Sequence, residues 1–504
     1  MPTSPRRSPS GALRLIPSSS ETGLDAIDPS ASANEVLGEL PFGHQPAERE
    51  VTAHGSHMRR VRRRVGKSQP AIQPREAWSR GMIAWRAVLA IVVVAVFAAL
   101  LVRSAMSIWA GGGLSLAAPV VAFGLVGTFY FALTVFHAFR YRAFESKADA
   151  ALPRVTLIVP AYNEGAAVRV ALTSALESDY PHDKLQILAI DDGSRDDTWS
   201  HMEALAQAHP DRILAFRQPE NRGKREALRE GFLQADGEIV VTVDSDSKLD
   251  PSAIRAIVAP MLADEEIAAV AGRVLVLNRT ENLFTRLLSA RFFITFDLAR
   301  AAQSHFGAVL CTPGALSAYR LSAVRKVLDR WSTQTFFGQP CTIAEDRALT
   351  TWLLREGFRS VYQRTAVVET IMPTTVSRIA RMLIRWERGN IREDLVMLPL
   401  LFTRWRKRDQ WWPTLEIVLE LCQHPIGWLG ALLAMRWVVD APAAMTVLGL
   451  ILISATVQTL YTLRSHRGSD FFYGLGYALV ALVGLQWVFP YSLVTVRDGR
   501  WLTR

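Results

Sequence analysis

Two carboxylates stand two positions apart in Asp244-Ser245-Asp246, directly after the apolar run Ile239-Val240-Val241-Thr242-Val243. Past the end of a strand, that spacing lets both offer oxygen to a divalent cation carrying a diphosphate. Two acids in such a place are costly without a cation or another partner, which favours the chemical reading over a chance D-x-D. Further along, Ala344-Glu345-Asp346-Arg347 opens a helical stretch running through Leu349, Trp352 and Leu353. It reads either as acidic capping of a helix start or as a general base aimed at an acceptor hydroxyl. Arg385-Trp386 lies on an amphipathic stretch from about Val376 to Arg392. An arginine can neutralise a leaving diphosphate, and an indole can stack on a sugar ring. Alone, the pair reads almost as well as a helix anchored at a lipid headgroup zone by its tryptophan.

These groups need a scaffold. Val155–Pro160, Leu185–Ile190, Ile213–Phe216 and Glu238–Val243 read as buried strands, separated by helical stretches Gly165–Glu177, Asp197–Ala208 and Lys224–Ala235. Short apolar strands alternating with helices predict a parallel, doubly wound sheet. Such sheets bind ligands at the carboxyl ends of their strands. The first two strands end in Pro160-Ala161-Tyr162-Asn163-Glu164 and Asp191-Asp192-Gly193-Ser194, each of which also reads as a turn leading into a helix.

Around this α/β unit the chain is of a different kind. Half of its 504 residues are hydrophobic and only 21% are charged. The excess apolarity sits in Trp85–Val102, Ala117–Phe139, Trp411–Met435, Ala441–Leu463 and Phe471–Val496. Each approaches the ~20 residues that cross a bilayer core. The expected organisation is a disordered basic tail over 1–75, two transmembrane helices in 76–145 and the α/β unit in 150–375. Interfacial amphipathic helices over 376–410 and C-terminal transmembrane helices with a terminal tail over 411–504 follow. The net charge of +10 concentrates in Arg59–Lys67 and Arg404–Arg408, beside those runs. That placement predicts contact with anionic membrane lipids and a cytoplasmic α/β unit at the plasma membrane, rather than nucleic-acid binding. Three crossings after the α/β unit would leave the C-terminus on the wrong side, so one stretch is expected to be interfacial or re-entrant, or a short one such as Leu395–Phe402 to join them. Glu416 and Glu420, one turn apart in Trp411–Met435, are polar-site candidates there or acids within the headgroup zone. The three cysteines, Cys311, Cys341 and Cys422, have no zinc or redox spacing.

Taken in order, these pieces resemble the processive family-2 inverting glycosyltransferases, most of all hyaluronan synthases and the chitin-oligosaccharide synthases that make nodulation factors. The resemblance covers roughly 150–504. It is carried by Ala301-Ala302-Gln303-Ser304, Gly307–Cys311, Tyr319-Arg320, Gln334–Pro340, Glu345–Thr350 and a final Trp501-Leu502-Thr503-Arg504 similar to W-G-T-R. It implies a GT-A type domain, a Rossmann-like mixed sheet, embedded between N- and C-terminal transmembrane helices. It implies Tyr162, Glu164 and Asp192 around uridine, and Lys224 on the nucleotide. Asp244 and Asp246 would hold Mg2+ or Mn2+, Asp246 most directly. Asp346 would be the base with Glu345 beside it, Arg385 the diphosphate clamp and Trp386 the acceptor platform, with Trp501 and Arg504 closing over the nucleotide. Two positions depart from the pattern: Met382 stands where Q-x-x-R-W has glutamine, and Thr312-Pro313-Gly314 replaces an S-G-P-like triplet.

The implied reaction is single-displacement transfer from a UDP-sugar to a growing β-linked polysaccharide, coupled to export. UDP-N-acetylglucosamine is the expected donor, with or without UDP-glucuronate. The alternatives are a non-processive enzyme adding one sugar to a lipid acceptor and a cellulose-like glucan synthase. A transporter with a nucleotide-regulated domain would need a phosphate-binding glycine loop and inverted repeats, and neither is found.

Overall fold

In the first strand, Leu157 and Val159 pack into one buried cluster while Ile158 between them packs into another. Successive side chains of a strand point to opposite faces, so an unbroken apolar run marks a strand covered on both sides. The computed structural model describes residues 32–39, 118–402, 411–422 and 470–500. Its central sheet has eight strands: β1 (Val155–Ala161), β2 (Leu185–Asp191), β3 (Ile213–Arg217), β4 (Ile239–Thr242), β5 (Ser247–Leu249), β6 (Ile267–Val276), β7 (Ser317–Arg320) and β10 (Arg359–Thr370). A separate hairpin pairs β8 (Thr335–Phe336) with β9 (Gln339–Pro340).

The sheet order is β3-β2-β1-β4-β7-β6-β10-β5. β3, β2, β1 and β4 run parallel, as the strand–helix alternation predicts, and so do β6 and β10. β7 is antiparallel to both neighbours and β5 is antiparallel to β10, which makes the sheet mixed.

The helices, in chain order, are α1 (Ala33–Glu39), α2 (Ala118–Arg140), α3 (Val168–Leu176), α4 (Thr198–Ala208), α5 (Lys224–Gln234), α6 (Ala253–Ala263), α7 (Leu283–Phe293), α8 (Arg300–His305), α9 (Leu321–Ser332), α10 (Glu345–Arg355), α11 (Val376–Met397), α12 (Asp470–Gly484) and α13 (Val488–Val494). Residues of α3, α4, α6 and α11 join one face's core, and those of α5, α9 and α10 the other. The buried side of α11, including Ile379, Met382, Leu383 and Ile384, is thus turned into the domain's own core.

Two expectations change. The tail taken as disordered over 1–75 contains α1, which docks on α3 through Val36 and Val170. Phe471–Val496, expected as one span, is broken between α12 and α13. α12 has 15 residues, which at ~1.5 Å per residue falls short of a ~30 Å hydrocarbon core. Among the described residues no helix is long and apolar enough to cross a membrane. Trp85–Val102 and Ala441–Leu463 lie outside them.

Candidate active site

The carboxyl ends of β1 and β4 meet the start of α10 at a small cavity lined by Lys224, Asp244, Gly314, Trp331, Glu345 and Asp346. Lys224 heads α5, where its Nζ pairs with Asp244 and lies 3.1 Å from Glu345 Oε1. One cation therefore ties the D-x-D to the acidic pair at α10. Gly314 makes this possible, since a Cβ there would stand 2.8 Å from Lys224 Nζ and 3.2 Å from Asp244 Oδ1.

The acidic pair is held by its own backbone. Ala344, before it, takes a left-handed conformation with φ 53°, which a residue with a Cβ adopts at a cost. Trp331 Nε1 donates to Glu345 O at 2.9 Å. Gly314 N–H donates to Asp346 Oδ2 at 3.0 Å, and Arg347 N–H to Oδ1 at 2.7 Å. Burial pushes the Asp346 carboxyl above its ordinary range and neighbouring Glu345 pushes the same way, against Lys224 and those two N–H groups. Burial also acts upward on Glu345, but Lys224 and Arg385 outweigh it and hold that carboxyl low. Two adjacent acids thus divide into a committed anion and a proton acceptor with a raised pKa, as general-base chemistry near neutral pH requires.

Asp246 accepts from Ser247 Oγ at 3.4 Å and from Thr370 Oγ1 at 3.5 Å. Burial, with the Asp244 charge, pushes its carboxyl up to about 6. Two acids so placed suit a hard cation with oxygen ligands, and carboxylate oxygens are the right donors for Mg2+ or Mn2+. Among the described residues no group of three or more His, Cys, Asp or Glu could hold a metal ion. The residues fit a cation whose remaining ligands are phosphate and water.

Arg385 feels the charges of Glu345, Asp346, Asp244 and Asp246, while burial pulls its own pKa down. Trp386 packs on Phe292 with ring centroids 5.9 Å apart. Met382, at the position of the pattern's glutamine, is 3% exposed and belongs to the core. α11 also fixes the C-terminal segment. Arg388, fully buried, donates to Thr495 Oγ1 at 2.9 Å and lies 3.3 Å from Asp498 Oδ2. Thr342 Oγ1 donates to Gly499 O at 2.6 Å. The chain is thus led over the loop before Glu345, toward Trp501 and Arg504, which lie outside the described residues.

The expected nucleotide residues divide. Glu164 Oε1 accepts from Ser245 Oγ at 3.1 Å, joining the end of β1 to the D-x-D loop. Tyr162 sits partly exposed just past β1. Asp192 spends both oxygens on the loop that carries Lys224, accepting from Arg222 N–H at 2.8 Å and Gly223 N–H at 2.9 Å. Burial pushes its carboxyl up to about 6 despite those bonds. Gly193, at φ +70°, lets this loop pass, because a Cβ would lie 2.5 Å from the Glu220 carbonyl carbon.

Arg347 turns away from Asp346 to pair with Asp394 of α11 and, at 3.2 Å, with Glu420 of the helical segment 411–422. Gln303 donates to Glu416 of the same segment. Sequence reasoning missed Ser245, Arg388 and Arg347 as organisers of the site.

The pattern of the glycosyltransferase-like family 2 matches residues 153–389. An N-acetylglucosaminyltransferase of Rhizobium meliloti (strain 1021) is 31% identical over 404 residues, 77% of this chain and 91% of the relative. The chain belongs to glycosyltransferase family 2. Within that family, a second N-acetylglucosaminyltransferase, from Rhizobium leguminosarum bv. viciae, is 30% identical over 400 residues, 77% of this chain and 91% of its own length. A hyaluronan synthase of Streptococcus pyogenes is 30% identical over 388 residues, 76% of this chain and 90% of its own length. The fold matches a mannosyltransferase from Pyrobaculum calidifontis solved with GDP-Man and Mn2+, at TM-score 0.52 and 22% identity. That match covers 73% of this chain and 99% of the other, which places the glycosyltransferase in the GT-A fold.

Proposed function

We propose that this family-2 glycosyltransferase takes N-acetylglucosamine from UDP-N-acetylglucosamine, with or without UDP-glucuronate as a second donor. It adds the sugar with inversion to the growing end of a β-linked polysaccharide. The reading rests above all on one juxtaposition: Asp346, a carboxylate whose pKa burial raises, shares a cavity with Lys224 and Asp244, within reach of the Arg385 charge.

In this mechanism Asp346 accepts the proton of an acceptor hydroxyl as that oxygen attacks the anomeric carbon. The bond to UDP breaks on the opposite face, so an α-linked donor gives a β-linkage. Arg385 stabilises the charge that develops on the departing diphosphate, in a site sheltered from water. Glu345, kept ionised by Lys224, fixes that lysine rather than competing for the proton. Asp244 and Asp246 would hold Mg2+ or Mn2+, which when bound neutralises diphosphate charge. Trp386, which packs on Phe292, would be the acceptor platform.

The same proposal places the enzyme in the plasma membrane, with this domain on the cytoplasmic side and the polymer leaving through the apolar helices. Support comes from the apolar runs flanking the domain and from exposed Phe129, Phe136, Phe139, Trp411 and Trp487 at its edges. Purified protein in detergent with Mg2+ or Mn2+ tests the reaction: UDP release is followed with each donor alone and with both, and products are sized. Polymer from UDP-N-acetylglucosamine alone indicates chitin-type synthesis, and polymer only with both donors indicates a hyaluronan-type product. Release with neither donor would refute the donor assignment, and a single added sugar would refute processivity.

A further inference from the structure

We infer that the N-terminal helix α1 braces the donor site in cis, holding the Tyr162–Glu164 loop and the Asp244–Asp246 loop at their binding separation. The inference rests on reading those two loops as the donor site. A seven-residue helix has no stability of its own in water, so α1 exists because of what it touches. Its start is encoded locally: Ser32 N–H donates to Glu35 Oε2 at 2.7 Å and Glu35 N–H to Ser32 Oγ at 3.3 Å. This is the reciprocal capping box of a helix N-terminus.

Its contacts fall on the two loops' continuations. Val36, 1% exposed, packs on Val170 of α3, with Leu37, Ala166 and Ala167 completing the patch. Ala166 and Ala167 lie two and three residues past Glu164. Ala33 N–H donates to Glu177 Oε1, just past α3, at 3.0 Å. Asn34 Oδ1 accepts from Lys248 Nζ. Lys248 lies in β5, two residues beyond Asp246, opposite Glu369 of β10.

The two loops are also joined directly, by Ser245 Oγ to Glu164 at 3.1 Å and by Leu249 N–H to Ser174 Oγ at 3.1 Å. α1 adds an apolar contact to one loop's helix and a polar contact to the other loop's strand. Asp346 and Arg385 belong to α10 and α11, whereas the main packing partner of α1 is α3. Undocking α1 therefore weakens donor binding and leaves the transfer step alone. Whatever binds or modifies the tail around Ser32 acts on the enzyme through donor affinity.

The test compares the full chain with Val36→Asp and with the milder Asn34→Ala. UDP affinity is measured with Mn2+ by equilibrium titration, donor KM and kcat by UDP release, and amide exchange over 162–170 and 244–250 by mass spectrometry. Val36→Asp is expected to raise UDP Kd and donor KM together, roughly fivefold to twentyfold, with kcat within twofold. Exchange should quicken in both loops while α10 stays protected. A synthetic peptide of residues 30–42 added in trans should restore affinity, and the same peptide carrying Val36→Asp should not. Unchanged exchange and unchanged UDP affinity in Val36→Asp would overturn the brace. A parent chain that binds no UDP would sink the donor-site reading instead, and loop exchange would still report whether α1 braces them.

Discussion

Replacing Asp346 by asparagine separates the base from the scaffold. The two carboxylate oxygens accept from different backbone donors, Gly314 N–H and Arg347 N–H. Asparagine offers one acceptor oxygen, so its amide nitrogen must face one of those N–H groups. One hydrogen bond is lost and a buried donor is left unmet, costing about 1–3 kcal/mol. Relief of the repulsion from Glu345 offsets part of that, so the melting temperature should fall by only a few degrees. The rate should suffer far more: losing a positioned base removes roughly 10²–10⁴ in transfer, or about 3–5 kcal/mol of transition-state stabilisation. UDP affinity should stay within about threefold, because the deleted charge is not a proposed nucleotide contact. Both readouts come from one detergent sample, by UDP release and by UDP titration. A variant keeping more than a tenth of the rate would move the base elsewhere, with Glu345 next in line. Loss of UDP binding would make Asp346 structural.

Lys224→Met leaves Asp244 and the buried Glu345 without their shared cation. Breaking a buried pair from one side costs about 3–5 kcal/mol, which denaturant titration should register, and no change would mean that the pair contributes nothing. Asp192 tests the sign of a raised pKa. Its folded value of about 6 lies above the ordinary 3.8, so the stability it contributes is present at low pH and lost as pH rises through about 6. The chain should lose up to about 3 kcal/mol relative to Asp192→Asn between pH 4 and pH 8. A difference that stays flat across that range would refute the burial argument. Gly389→Ala would put a Cβ 2.4 Å from the Ala344 Cβ. It should destabilise by about 1–3 kcal/mol and lower kcat more than donor KM, and a variant with parental kcat would show that Ala344 does not set the base.

The strands were legible because burial on both faces leaves them almost wholly apolar, Thr156 being the one polar residue of Val155–Pro160, and because β1, β2 and β4 run into groups with chemistry. The D-x-D and the acidic pair were legible as residue types. What they do to each other was not: Lys224 lies far from Glu345 in sequence, and only folding places it between that acid and Asp244. The resemblance implies Asp192 at the uridine pocket, and the sequence carries no sign of which way its carboxylate turns. Arg388 carries no local sign of its burial, since its partners Thr495 and Asp498 lie about a hundred residues further along the chain. Two misses had a local signal. Ser32-Ala33-Asn34-Glu35 is a capping box followed by Val36, overlooked inside a polar tail judged by sustained periodicity. Gly484 and Gln486 interrupt the last apolar stretch, and a glycine beside a polar residue there marks a break.

Glu345, Asp346 and Arg347 are consecutive, and a helix turns each side chain about 100° from the last. Their partners accordingly lie in three directions: Lys224, the Gly314 backbone, and the Asp394–Glu420 pair. No one of them can substitute for another, since a compensating change would have to arise in a different part of the molecule each time. Diversification is channelled away from this turn. Variants selected for another donor or another product length should accumulate changes in the loops after β1 and β2 and along α11, leaving these three residues as inherited.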